Sequence, residues 1–425
     1  MRLGLSARSL WRNPRFTRLF AATAVSELGT EISGLAIPLS AILALHAGVL
    51  EVGVLMALGF VPFALFGLVA GAWVDRVRKR PLLISADILR GATLASVPLA
   101  WAGGHLSIGL LYAVAFVVGS LNVLFEIAKQ TYAPAVVDRR QLGEANGHLM
   151  LAEQGSAVAG PGLGGLLIGA IGAPLAITAD ALSYLASAGL IAGIKHVEVS
   201  AGPPTEGMGR SIVGGIQFVV RHRLLLPIAV VGSLVTFFSR MVQVVLLVYL
   251  AREARLTPAA IGLVFAIAGG GFVLGALAAD PVGRRLGITR AATAALVVVA
   301  CGLVLVALGP PATAGWWATV GLFVYGAAAV TWTVNVTTLR QLATPREMLG
   351  RVTATMRVVS YSVIPLAAVT GGALGAVIGL RETLAVAAAG AVLAVLAMLA
   401  SPLPRAQAEQ PITSPDLSKR GERRP

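Results

Sequence analysis

Cysteine is all but absent. The one thiol, Cys301, lies inside an apolar run, so no internal disulfide can form and a disulfide-stapled secreted domain is excluded. Charge is scarce as well: Asp, Glu, Lys and Arg make up 12% of the chain, against roughly 25% in soluble globular proteins. A water-soluble fold would have to cover itself with polar side chains that this sequence does not possess. A disordered chain and a collagen-like fibre fail for the same compositional reasons. The five histidines (His46, His105, His148, His196 and His222) stand far apart, so no metal cluster is expected, and no phosphate-binding P-loop is present. An enzyme is therefore the least favoured class, no cofactor is expected, and ATP does not drive the protein directly. What is there instead is apolar length: 57% of 425 residues are hydrophobic and the mean hydropathy is +0.84. The sequence describes an all-α integral membrane protein.

A membrane-crossing helix needs about 20 mostly apolar residues. Twelve such runs occur, near 19–45, 53–74, 82–101, 106–128, 145–171, 174–194, 224–250, 259–279, 291–309, 315–339, 352–379 and 384–402. They are continuously apolar rather than alternating, which favours helices over barrel strands. The first run is too long for a cleavable signal peptide. Segments falling on the side of the amino terminus carry 27 of the 33 Lys and Arg, including the stretch from Lys129 to Arg140; the other side holds Arg252, Arg255 and Arg381. That asymmetry predicts both termini in the cytoplasm and a multi-pass protein of the cell (inner) membrane. The formal charge of +14 then reflects topology and contact with anionic lipid, not nucleic acid.

The longest internal loop, 195–223, contains Gly202-Pro203-Pro204 and separates residues 1–194 from 224–402. Within it Ile212, Ile216 and Val219 share a helical face, which predicts a short helix along the membrane surface. Residues 403–425 are polar and rich in charge and proline, and are expected to be disordered. The halves repeat. Asp75 and Asp280 close corresponding runs 205 positions apart, and Gly164-Gly165 recurs as Gly371-Gly372 at an offset of 207. Two matches at nearly one offset predict two pseudo-symmetric six-helix bundles with a site between them.

Gly71, Asp75, Arg76, Lys79 and Arg80 match the loop signature Gly-x-x-x-Asp-Arg-x-x-Arg/Lys-Arg, with Arg78 where a glycine is usual. Gly147, Ser156, Gly160, Pro161, Gly164 and Gly165 resemble an antiporter motif of drug exporters, with Ser156 in place of a glycine. On these residues the chain resembles the major facilitator superfamily. Glu144-Ala145-Asn146, Asp180 to Tyr184, and Thr344 to Glu347 leading to Gly350-Arg351-Val352 resemble its macrolide-efflux and enterobactin-exporter branch. The resemblance implies the major facilitator fold, and the pseudo-symmetry predicts that Asp75 latches to the start of span eleven, around Gly350 to Thr353, and Asp280 to the start of span five near Ala145 and Asn146. There the positive end of the helix would stabilise a carboxylate. Arg284, Arg285 and Arg357 belong to the same predicted cytoplasmic gate. The small residues Ala157, Gly160 and Gly164 predict a flat face by which span five approaches span eight, with Pro161 as a bend.

Ionisable groups at lipid depth are costly and mark function. Glu27 and Glu31 share a face of span one, ~12 and ~18 Å deep, and Arg240 lies ~24 Å deep in span seven. In the superfamily both helices line the central cavity, so Glu31, supported by Glu27, is expected to face Arg240 as a proton-exchange site; a purely structural ion pair is the competing reading. Glu153 in span five is a second proton-site candidate. Asp87 with Arg90, and Glu126 with Lys129, read as ion pairs on helix surfaces. Phe60, Phe63 and Phe66 read as packing. Trp332 and Tyr361 are the expected cavity aromatics, because their helices line the path in this fold. An apolar cavity with few charges suits an amphipathic or aromatic small molecule. The leading expectation is a monomeric, proton-coupled secondary exporter of a drug-like molecule, siderophore or secondary metabolite. A uniporter or importer, and a non-transporting sensor or scaffold, are the alternatives.

Overall fold

The computed structural model describes residues 10–195, 216–345 and 348–403; for Leu68, Val69, Ala72, Asp75, Arg139 and Ala354 it describes the backbone alone. Ile212 and the tail after Leu403 lie outside the described residues. The described chain is helical, without strands. Twelve long helices follow one another: α1 Pro14–Leu39, α2 Val49–Arg76, α3 Lys79–Ala102, α4 Ile108–Val136, α5 Leu142–Ile171, α6 Ala173–Ala192, α7 Leu225–Arg252, α8 Pro258–Leu286, α9 Ile288–Leu308, α10 Ala314–Leu342, α11 Leu349–Ile378 and α12 Leu380–Ala400. Each includes a stretch long and apolar enough to cross a membrane. Their alternation puts the first and last described residues on one face, here called the basic face for the Lys and Arg it gathers.

Local chemistry sets the ends. Asn13 caps α1, its side chain accepting from the backbone N–H of Arg15, while Pro14 fills a first-turn position where a missing N–H costs nothing. Single glycines join α5 to α6 and α11 to α12: Gly172 has φ 87° and Gly379 φ 99°, with ψ near 155°, a region closed to side chains with a Cβ. These glycines are themselves 207 positions apart, so the repeat extends to its turns.

The packing repeats too. In the first six helices α1 packs on α5 and α6, α3 on α4 and α6, and α2 on α4; adding six to each number gives the main contacts of the second set. Two seams join the sets, α2 with α11 and α5 with α8. Both are made by backbone approach at glycine. A Cβ on Gly53 would stand 2.5 Å from the Ala368 carbonyl oxygen and 3.0 Å from Gly372 Cα; on Gly262 it would stand 2.4 Å from the Pro161 oxygen and 2.7 Å from Gly165 Cα. The two contacts are symmetry copies, both near the face opposite the basic one.

Two expectations are corrected by the helix boundaries. Lys129 belongs to no basic loop: α4 runs on to Val136, and Lys129 is 5% exposed inside the bundle. The face by which α5 approaches α8 is also different from the predicted one. Gly160 and Gly164 lie against Glu31 and Ile32 of α1, whereas Val158, Pro161, Gly162 and Gly165 meet Gly269, Gly262 and Ala266 of α8. The motif spans two interfaces because successive helical residues point about 100° apart.

Candidate functional site

Between the two sets of helices lies a cavity of about 380 Å³. Glu31 enters it from α1, Gln154, Val158 and Pro161 from α5, Arg240, Gln243 and Leu246 from α7, Phe265, Gly269 and Phe272 from α8, Leu303 from α9, and Leu322 and Tyr325 from α10. Its far wall is aromatic: Phe272 and Tyr325 meet edge to face, centroids 6.1 Å apart. The structure thus brings Glu31 and Arg240 to one cavity. They do not form an ion pair; Arg240 donates to Gln243 Oε1 at 2.7 Å and its guanidinium stands 5.7 Å from the Phe60 ring centroid. Glu31 has no salt-bridge partner among the described residues.

Glu27 is turned to a different partner. Lys129 Nζ lies 2.9 Å from Glu27, 2.8 Å from Glu126 and 3.0 Å from Glu153, gathering α1, α4 and α5 onto one ammonium. The Glu126–Lys129 pair of the sequence reading exists, yet it is one edge of a four-residue cluster and not a surface pair. Lys129 is buried while the three carboxylates are partly exposed. With all four ionised the cluster carries two excess negative charges, a costly arrangement within membrane-spanning helices.

Asp87 and Arg90 are ion-paired as expected, but in the core rather than on a surface, 0% and 4% exposed. Arg90 also donates to Asn122 at 2.8 Å, and its guanidinium is sandwiched between the rings of Phe125 and Tyr184, 3.9 and 4.1 Å from their centroids. Tyr184 in turn shares a 2.8 Å hydrogen bond with Thr30 of α1. Asp180, fully buried, accepts from Ser183 at 3.1 Å beside Gly29, where a Cβ would lie 2.5 Å from its carboxylate. These contacts clamp α1 from behind while its other face presents Glu27 and Glu31.

Several predicted residues fall elsewhere. Trp332 is buried within the second bundle and Tyr361 stacks on Phe63 at 5.0 Å, with Arg357 5.6 Å from the Tyr361 ring centroid; neither aromatic lines this cavity. A ring from α2 stacks there against one from α11, while this cavity opens beside α5 and α8. Asp280 does not reach the start of α5: it is exposed and pairs with Arg284 of its own helix at 2.7 Å. The Asp75 side chain lies outside the described ones. Arg76 and Arg285 are exposed, Lys79 is buried, and Arg80 donates to the Ile191 and Ala192 carbonyls, tying α3 to α6. Gly71 and Gly147 have open space around them, and Ser156 directs its hydroxyl to the Ala24 carbonyl of α1 at 3.5 Å.

A family model described as the Major Facilitator Superfamily matches residues 19–368. The chain belongs to that superfamily. It is a multi-pass membrane transporter and not an enzyme. Among relatives, the multidrug efflux pump Tap of Mycolicibacterium fortuitum is 27% identical over 385 residues, covering 88% of this chain and 91% of its own length. The enterobactin exporter EntS of Salmonella choleraesuis is 26% identical over 380 residues, covering 88% of each. A crystal structure of a bacterial homologue of the iron transporter ferroportin, inward-facing, superposes with a TM-score of 0.72 at 18% identity, over 91% of this chain and 98% of that one. In this superfamily transporter the cavity residues that sequence reading missed are Gln154, Gln243, Phe265, Phe272 and Tyr325. Gln243 was findable, three residues from Arg240 on one helical face. The Lys129 hub was findable from arithmetic, since three acids and one base at lipid depth do not balance.

Proposed function

We propose that the protein is a secondary exporter of the plasma membrane, acting as a monomer with its basic face in the cytoplasm. Residues 1–194 and 224–402 rock as two bodies about the glycine seams, exchanging protons for a small amphipathic or aromatic molecule. The observation that carries this reading is Glu31: a carboxylate without an ion-pair partner, in the wall of a largely apolar cavity, one helical turn from a lysine cluster with surplus negative charge. Burying an ionised carboxylate is expensive, so a change of cavity exposure changes its proton occupancy. The exporter direction draws support from relatives that bear the names efflux pump and exporter. The aromatic wall and the two glutamines suit a ring-bearing cargo with a few hydrogen-bonding groups.

Inside-out vesicles with an imposed pH gradient and the dye ethidium test the reading. Wild-type protein should accumulate dye only with the gradient, and Glu31→Gln should bind dye yet lose gradient-driven uptake. Uptake at the same rate with and without the gradient would overturn proton coupling.

A further inference from the structure

The turn after α1 and the turn after α7 are copies of one another. In the first, His46 takes φ 54° and the N–H of Ala47 reaches back to the Ala41 carbonyl at 2.8 Å. In the second, Arg255 takes φ 54° and the N–H of Leu256 reaches back to the Leu250 carbonyl at 2.9 Å. A positive φ is uncommon outside glycine, so each turn holds its chain in a costly shape. The first turn differs in one respect: a π-helical stretch, Ser40–Ala44, widens the end of α1. The N–H of the buried Ala47 is spent on Ala41, which leaves its carbonyl. That carbonyl accepts from Arg252, the last residue of α7.

This bond joins one set of helices to the other. Arg252 has no salt-bridge partner among the described residues, so its guanidinium is committed to the backbone of the opposite set. The position that matches Arg252 in the first turn is Leu43, so the repeat does not supply the tie a second time. Ala47 stands six residues before Gly53, beyond the seam of α2 with α11 and toward the face opposite the basic one. The seam itself is close packing, individually weak and without direction. A hydrogen bond from a guanidinium is directional and stronger than a neutral one. Separating the two sets at that face breaks it, because Ala47 moves with one body and Arg252 with the other.

We propose that Arg252 and the Ala47 carbonyl form a latch that holds the face opposite the basic one shut, with His46 as the positioning residue that aims the carbonyl. The latch rests on the rocking of two bodies proposed above and adds to it the bond that breaks before cargo leaves.

Spin-label distance measurement in lipid nanodiscs tests the latch on the full chain carrying Cys301→Ser, with labels at Leu50 of α2 and Val377 of α11, both exposed. With Arg252 in place one short distance should dominate. Arg252→Met should raise the ratio of long to short distances about tenfold, the effect of losing a hydrogen bond to a charged group. Arg381→Met removes another exposed arginine from the same face and should leave the ratio unchanged. Valine is strained at φ 54° whereas glycine is not. His46→Val should therefore open the face as Arg252→Met does, and His46→Gly should not. Added to Arg252→Met, His46→Val should have no further effect. Unaltered distances in the Arg252→Met protein overturn the proposal. So do an equal change in Arg381→Met and further opening when His46→Val joins Arg252→Met. If Arg252→Met opens the face of a protein whose export ignores the pH gradient, the latch stands and proton exchange falls.

Discussion

Replacing Gly160 by alanine tests whether close packing of α5 on α1 sets the position of Glu31. A Cβ at Gly160 would lie 2.3 Å from Glu31 Cβ and 3.2 Å from its Cγ. Carbon atoms rest at roughly 3.5–4.0 Å, so α1 must retreat by roughly 1.2 Å or more. The obstacle is a Cβ close to the backbone, not the tip of a flexible chain, so the helix itself has to move. Overpacking of this kind costs about 1–3 kcal/mol. Alanine returns about 1 kcal/mol as the better helix former. The net loss of stability is then about 0–2 kcal/mol, small enough for the protein to fold. Transport should suffer more, because a displacement near 1 Å at a working group can cost on the order of a hundredfold. Gradient-driven dye export in vesicles should fall at least about tenfold while the unfolding midpoint in detergent moves little. Gly155→Ala on the same helix is the control: nothing lies within 4 Å of its Cβ, so export should be normal. Equal export by both variants would refute the reasoning.

Lys129→Met strands three partly exposed carboxylates, so it should destabilise by about 1–3 kcal/mol, less than the loss of a fully buried pair. Thermal unfolding should show the loss and its partial recovery in Lys129→Met with Glu126→Gln. Arg90→Lys keeps the charge but forfeits the stacking between Phe125 and Tyr184 and the bond to Asn122, for about 1–3 kcal/mol by the same measurement. Gly262→Leu drives a side chain into the Pro161 carbonyl and should hold α5 and α8 apart, widening the spin-label distance across that seam and abolishing export.

The architecture was legible because its signals are long and repeated. Twelve apolar runs and the offset of 207 between Gly164-Gly165 and Gly371-Gly372 answer to real helices and to a real pair of seams. The site was legible only in part. Glu31 and Arg240 were assigned to one cavity by depth and helix number, quantities that a sequence carries. What it does not carry is rotation about each helix axis. Glu27, one turn from Glu31, turns far enough to meet Lys129, a partner 102 residues away. Gly160 and Gly165 differ by five positions and so face different neighbours. Tyr361 shows the same dependence on rotation: it stacks on Phe63 across the seam of α2 with α11 and does not line the cavity beside α8.

The buried charges are distributed unevenly over this doubled framework. Among the described residues, both buried ion clusters, around Lys129 and around Arg90, belong to the first six helices, whereas the greasy and aromatic lining comes mainly from the last six. Under the proposed function the two halves of the repeat divide the work, the first holding the buried charge and the second most of the cargo-facing surface. On that proposal, substitutions in the second half would retune what is carried while leaving the charges of the first half in place.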